Sequence, residues 1–168
     1  MPKHAIFLTG PVGVGKTTLG RPLATMLGGR FIDGDDHSDL GKPWYCSSLR
    51  TGAAIVRTGL SLLDDAPAVV VAQPLTCTTW IYFRRKFGDA GVRALFIGLR
   101  ASLVSILDDG RGRRFDVAER ARIRTMIAEG YGESPFVDFV LDTDKDSFAD
   151  TLTQLTAETR RLMQQVPR

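Results

Sequence analysis

The sequence predicts an α/β protein in which five parallel strands form a sheet covered on both faces by helices. Three observations carry that prediction. Short apolar runs alternate with helical stretches along the chain, as parallel strands joined by helical crossovers require. The runs are apolar through most of their length, which suits strands buried on both faces. A glycine-rich turn also separates the first run from the first helical stretch, the usual place for a backbone that must bend sharply.

His4–Thr9 (HAIFLT) is apolar and partly β-branched and reads as a buried strand, and residues 16–27 have the composition of a helix. Arg30–Asp33, Ala68–Ala72, 92–99 and 136–141 supply the other four strands. Residues 44–63 read as a helix in which Leu49, Ala53, Val56, Leu60 and Leu63 recur at i, i+4, i+7, i+11 and i+14. That spacing predicts one buried stripe, flanked by Arg50 and Arg57. A further helix is expected over 117–129, with Gly130 placed to stop it. The last helix begins near an Asp146 or Ser147 cap and carries Phe148, Leu152, Leu155 and Leu162 at core-facing spacing.

At 168 residues and 43% hydrophobic, the chain suits one domain over 1–168 and is too short for two comfortable cores. Its 22 basic and 19 acidic residues leave a formal charge of only +3, which does not by itself call for nucleic acid. Cys46 and Cys77 lack C-x-x-C spacing and no signal-peptide charge pattern is present, so unpaired thiols in a cytoplasmic protein are expected. No apolar run approaches the length of a membrane span. A monomer and a dimer both remain compatible with the sequence.

Gly10 to Thr17 read G-P-V-G-V-G-K-T, a full match to the phosphate-cradling pattern G-x-x-x-x-G-K-[ST] between a strand and a helix. Gly10, Gly13 and Gly15 let backbone N–H groups converge on one point, an anion-binding nest at a helix N-terminus. Pro11, Val12, Val14 and Thr18 complete the nucleotide-binding run. Lys16 is placed to reach the β- and γ-phosphates of ATP, and the Thr17 hydroxyl to bind Mg²⁺.

In open parallel sheets ligands lie beyond the carboxyl ends of the strands, so the residues following each strand matter most. After the second strand comes D-G-D-D-H, residues Asp33 to His37. Phosphoryl transfer to an alcohol needs one carboxylate to accept the hydroxyl proton and another acidic group to organise Mg²⁺, and Asp35 and Asp33 are the candidates. After the third strand, Gln73 to Cys77 (QPLTC) holds no magnesium-binding aspartate, and Gln73 and Thr76 are candidates to hydrogen-bond a substrate, with a plain turn as the other reading. The third place is Asp108 to Asp116, D-D-G-R-G-R-R-F-D, whose glycines and Arg111, Arg113 and Arg114 suit a short lid over ATP at about 108–116. A solvated basic turn or a phosphate-binding patch for nucleic acid is the alternative there.

With these residues in hand, the chain resembles the small P-loop metabolite kinases that include gluconate kinase and shikimate kinase. The phosphate loop, the F-I-D-G-D run of residues 31–35, the Lys42-Pro43-Trp44 triplet and the arginine-rich segment carry the resemblance. It implies a three-layer P-loop NTPase fold with sheet order 2-3-1-4-5. It also implies a metal-supporting role for Asp33, a substrate contact for Asp35, and lid roles for Arg111, Arg113 and Arg114. The stretch between Asp35 and Lys42 is shorter than in gluconate kinases, and the glycine-rich turn that follows the third strand of shikimate kinases is replaced by Gln73 to Cys77.

The expected function is Mg·ATP-dependent phosphorylation of a hydroxyl on a small polar metabolite, a sugar acid being one candidate. A carboxylate on that acceptor would suit a cleft-facing arginine, with Arg50, Arg57, Arg84 and Arg85 available and Arg57 favoured. The alternative is a nucleotide-binding regulatory or nucleic-acid-associated protein that hydrolyses ATP slowly and uses the Arg84-Arg85-Lys86 and 111–114 patches on a partner.

Overall fold

The computed structural model describes residues 2–38 and 44–166, with side chains of residues 44–47 left out. The chain runs β1 (His4–Thr9), α1 (Lys16–Met26), β2 (Arg30–Asp33), a 3-10 turn (Gly34–His37), α2 (Trp44–Leu62), β3 (Ala68–Ala72) and α3 (Cys77–Asp89). It continues through β4 (Arg93–Arg100), α4 (Leu103–Ile106), a second 3-10 turn (Asp109–Arg111), α5 (Val117–Ala128), β5 (Phe139–Asp142) and α6 (Phe148–Gln164). All strand pairs are parallel and the order is β2-β3-β1-β4-β5, the order the resemblance implies. In this order β1 is central and its carboxyl end delivers the phosphate loop to the crevice where the crossovers change direction.

Because successive strand residues face opposite ways, β1 feeds two cores. Ile6 and Leu8 join Val70, Leu95, Ile97 and Leu99 beneath α1 and α6. Ala5 and Phe7 join Val69, Val71 and Phe96 beneath α2 and α3. Phe7 is fully buried, its ring 4.7 Å from Phe83, 5.3 Å from Phe96 and 5.9 Å from Phe87.

Several sequence expectations need correcting. The stripe predicted over 44–63 holds in its second half, where Val56 and Leu60 pack on the core and Leu63 just beyond α2 is buried, but not in its first: Leu49 and Ala53 are exposed, and Thr51, Gly52, Ile55 and Gly59 are buried instead. The glycines explain this, since a Cβ at Gly52 would lie 3.0 Å from the Tyr82 ring and one at Gly59 would lie 3.0 Å from that of Phe87. Two aromatic side chains of α3 therefore approach α2 through its glycines, and ranking positions by apolarity misses that. Phe148 is half exposed rather than core-facing, because it opens α6 beyond the Ser147 cap, while Leu155 and Leu162 are buried as expected. The fourth strand starts and ends one residue later than read, and the fifth begins at Phe139 rather than 136. Phe136 and Val137 instead pack on the α2–α3 core, and Phe136 stacks on Trp80 with ring centroids 5.2 Å apart.

Candidate functional site

The loop after β1 has the backbone its glycines permit. Gly13 and Gly15 adopt φ of 81° and 111°, and Gly15 directly precedes the first turn of α1. At Gly13 close contact adds to conformation: a Cβ there would stand 2.7 Å from the Phe115 ring and 2.9 Å from Ile106. The loop thus opens onto the N-terminus of α1, where unpaired N–H groups and the helix dipole favour an anion.

Lys16 lies within this cradle, its ammonium donating to the carbonyl oxygens of Gly10 at 2.9 Å and Pro11 at 2.8 Å. Burial pushes its pKa down to about 8, and the positive charges of Arg113 and Arg122 act in the same direction while Asp35 and Asp33 oppose them. Thr17 donates its hydroxyl to Asp33 Oδ2 at 2.9 Å, and the other oxygen, Oδ1, accepts the Asp35 backbone N–H at 3.0 Å. One carboxylate therefore ties the end of β2 to the start of α1.

Two cavities meet at this point. The larger, of about 970 Å³, is lined by the loop from Val12 to Thr18, by Arg111, Arg113 and Phe115, and by Thr143, Asp144, Asp146 and Phe148 after β5. The smaller, of about 430 Å³, is lined by Gly34, Ser48, Thr51, Gln73, Thr76 and Thr79, and by Arg122, Thr125, Met126, Glu129 and Tyr131. Asp35, Ser38, Pro74 and Arg122 line both. The larger cavity has the phosphate cradle, and the smaller one begins at the Asp35 carboxylate.

Of the residues singled out in sequence, Val12 to Thr18, Asp35, Arg111 and Arg113 stand on the larger cavity's wall. Gly10 and Pro11 contribute the carbonyls that hold Lys16, and Asp33 acts through Thr17. Gln73 faces the smaller cavity and packs against Gly34 so closely that a Cβ there would overlap its amide. Thr76 begins a capping box with Thr79, and Cys77 is an exposed free thiol at the start of α3, so the second place reads as a helix start. Arg57 and Arg114 are exposed and line neither cavity. Lys42 and Pro43 lie outside the described residues, as does the Trp44 side chain.

The 108–116 segment is anchored at Phe115, which is buried against the loop, and Arg113 stacks over that ring at 4.8 Å while pairing with Glu119 at 3.6 Å. Arg111 donates to the Thr143 carbonyl at 3.3 Å. Sequence reasoning missed Arg122, Glu129 and Tyr131. They occupy a helix face and the turn after it, and no motif marks them.

Among the described residues no three His, Cys, Asp or Glu side chains gather as a metal site. A hydroxyl and a carboxylate beside a phosphate cradle suit Mg²⁺, which takes one or two protein oxygens and completes its shell with phosphate and water. No described helix is long and apolar enough to cross a membrane.

A parallel sheet in this order, with a G-x-x-x-x-G-K-[ST] loop between β1 and α1, is the fold of the P-loop kinases. Solved structures agree along nearly the whole chain. The gluconokinase from Sinorhizobium meliloti 1021 matches with a TM-score of 0.69 at 20% identity, covering 96% of this chain and 93% of that one. The APS kinase of Mycobacterium tuberculosis, in complex with AMPPNP and APS, matches with a TM-score of 0.67 at 17% identity, covering 98% and 100%. Within that class, the sequence is similar to shikimate kinases: that of Psychrobacter cryohalolentis is 49% identical over 51 residues, which are 30% of this chain and 23% of that protein. The chain thus matches under a quarter of the length of such relatives. No protein-family model matches the sequence. Fold and sequence together support a small P-loop kinase of the gluconate and shikimate kinase group.

Proposed function

We propose that the protein is an ATP-dependent kinase acting as one domain, which transfers the γ-phosphoryl group to a hydroxyl of a small polar metabolite. The observation that carries this reading is the position of Asp35, at the junction between the phosphate-loop cavity and the hydroxyl-lined cavity. ATP occupies the larger cavity with its phosphates on the loop and Lys16. The acceptor enters the smaller one, and its hydroxyl oxygen bonds to the γ-phosphorus as the bond to the β–γ bridging oxygen breaks. Asp35 receives the hydroxyl proton, and ADP leaves with the bridging electron pair.

Lys16 and Arg113 stabilise charge spread over the phosphoryl oxygens, and Arg111 holds the nucleotide beside the residues that follow β5. Arg114 joins them when the 108–116 lid closes. Thr17 and Asp33 would hold Mg²⁺, which would neutralise phosphate charge when bound. Gln73 orients the acceptor by hydrogen bonding. The regulatory, nucleic-acid-associated reading is not favoured, since these relatives are small-molecule kinases.

ADP release measured with polyols, sugar acids, amino sugars and cyclitols tests this reading. Acceptor-dependent release in the wild type, lost in a folded Lys16→Ala protein, supports it. Release that ignores every acceptor and survives Lys16→Ala overturns it. The finer question of whether the acceptor is a sugar acid turns on the charges of the smaller cavity.

A further inference from the structure

Four positions of α5 and its cap face the smaller cavity: Arg122, Thr125, Met126 and Glu129, spaced i, i+3, i+4 and i+7 on one side of the helix. Arg122 also lines the nucleotide cavity and acts on Lys16 through its charge, so it marks the phosphoryl end. Glu129 is the C-cap residue, seven positions on, which at ~1.5 Å rise per residue puts it about 10 Å further along the axis. The cavity therefore runs from a cation beside the phosphates to a carboxylate at the far end.

Two further observations bear on that far end. The carboxylate sits where α5 gathers its partial negative charge, so side chain and helix together favour a cation. The half-buried Tyr131 feels its surroundings consistently: burial raises its hydroxyl pKa, the Glu129 charge raises it further and Arg122 lowers it, so the three groups share one wall. Between the ends the wall carries the hydroxyls of Ser48, Thr51, Thr76, Thr79 and Thr125. Those of Thr51 and Thr125 donate to the His37 and Ala121 carbonyls and those of Thr76 and Thr79 bond within their capping box, so these four meet a ligand's O–H groups as acceptors. The arginines that would have favoured a sugar acid, Arg50, Arg57, Arg84 and Arg85, are absent from it. Among the described residues Arg122 is the cation on this wall, and a carboxylate placed there would compete with the γ-phosphate for it.

Resting on the kinase reading, we infer that the acceptor is an aminated polyhydroxy compound, of the amino sugar or aminocyclitol class, bound with its ammonium at Glu129 and its reacting hydroxyl at Asp35. The hydroxyl oxygen takes the γ-phosphoryl group and gives its proton to Asp35, while the ammonium, held at the Glu129 end of the cavity, keeps its charge. Glu129 is thus a specificity residue and takes no part in bond making.

The test uses matched acceptors differing in one charge: glucose, glucosamine and glucuronate, with a cyclitol, its amine and its acid alongside. ADP release is measured on the whole chain with wild type, Glu129→Gln and Glu129→Lys. The wild type should favour the amine over the neutral member by about tenfold in kcat/KM, Glu129→Gln should erase that ratio, and Glu129→Lys should turn preference toward the acid. Thermal stabilisation by a nonhydrolysable ATP analogue shows that each variant is folded. Stimulation by neutral or acidic members alone, or an amine preference that survives Glu129→Gln, overturns the inference and leaves the kinase reading standing. If no member of any charge class stimulates turnover, the kinase reading falls and this inference with it.

Discussion

Thr17 and Asp33, sixteen residues apart, are joined by a 2.9 Å hydrogen bond from hydroxyl to carboxylate. The same carboxylate accepts the backbone N–H of Asp35 at 3.0 Å. The phosphate loop and Asp35 are therefore held by one side chain, although the tasks proposed for the two aspartates differ.

That division gives the first prediction. Asp35→Asn should lower kcat by ~10²- to 10⁴-fold with KM for ATP nearly unchanged, because the proton acceptor is lost and the phosphate cradle is not. Asp33→Asn should instead raise the Mg²⁺ concentration needed for half-maximal rate by about tenfold. Magnesium titrations of kcat for both variants are the measurement, and identical profiles would refute the split.

Lys16 gives a pH prediction. With its pKa lowered to about 8, the free protein holds the ammonium below that value and loses it above. Since kcat/KM reports the free enzyme, kcat/KM for ATP should fall on an alkaline limb near pH 8. The limb in kcat should lie higher, because bound phosphates stabilise the ammonium. Lys16→Arg should remove the limb whatever its residual rate, and Lys16→Ala should lose ~10²- to 10³-fold in kcat while staying folded. A limb near pH 8 that persists in Lys16→Arg would assign it to another group.

What was legible beforehand divides along physical lines. The phosphate loop and the aspartates after β2 could be read because their chemistry is local: adjacent residues on one turn produce the cradle and the carboxylates. The strands and their parallel class followed from burial on both faces. The face of α2 did so only in part, because Gly52 and Gly59 bury by letting α3 aromatics approach, which an apolar stripe cannot register. Arg122 and Glu129 were invisible for a different reason. Their role arises only when α5 is laid across the junction of two cavities, and in the sequence they are ordinary charges on a helix.

At the other end of β1, His4 is buried at the base of the sheet, in register with Ala68 and Arg93, and neither ring nitrogen has a well-formed hydrogen bond. Burial, then the Arg93 charge, lowers its pKa from 6.5, with the backbone of Pro2 and Met163 offsetting part of the effect. The sign follows: the neutral ring's contribution is fully present above pH 6.5 and is lost as pH falls through the lowered folded value. Urea midpoints should begin to drop as pH falls below 6.5, and His4→Leu should flatten that slope. An equal slope in His4→Leu would place the acid sensitivity elsewhere.

The last prediction concerns the 108–116 segment as a lid. Gly112 has a φ of 80° and Phe115 packs the segment against Gly13, so closure of the proposed lid would hinge beside the phosphate loop. Arg113 rests on the Phe115 ring and 3.6 Å from Glu119, an exposed pair worth little in water and readily exchanged for phosphate oxygens. Hydrogen exchange over 108–116 should therefore slow when a nonhydrolysable ATP analogue and an acceptor bind together, since closure excludes water and fixes the arginines. Arg113→Ala should lower kcat by about 10²-fold or more, and Arg114→Ala should lower it as well if closure brings that side chain inward. Nucleic acid should leave the exchange unchanged. If both variants keep full phosphoryl transfer but lose a salt-sensitive affinity for RNA or DNA, the segment is a nucleic-acid patch, and its arginines serve a partner's phosphates rather than those of ATP.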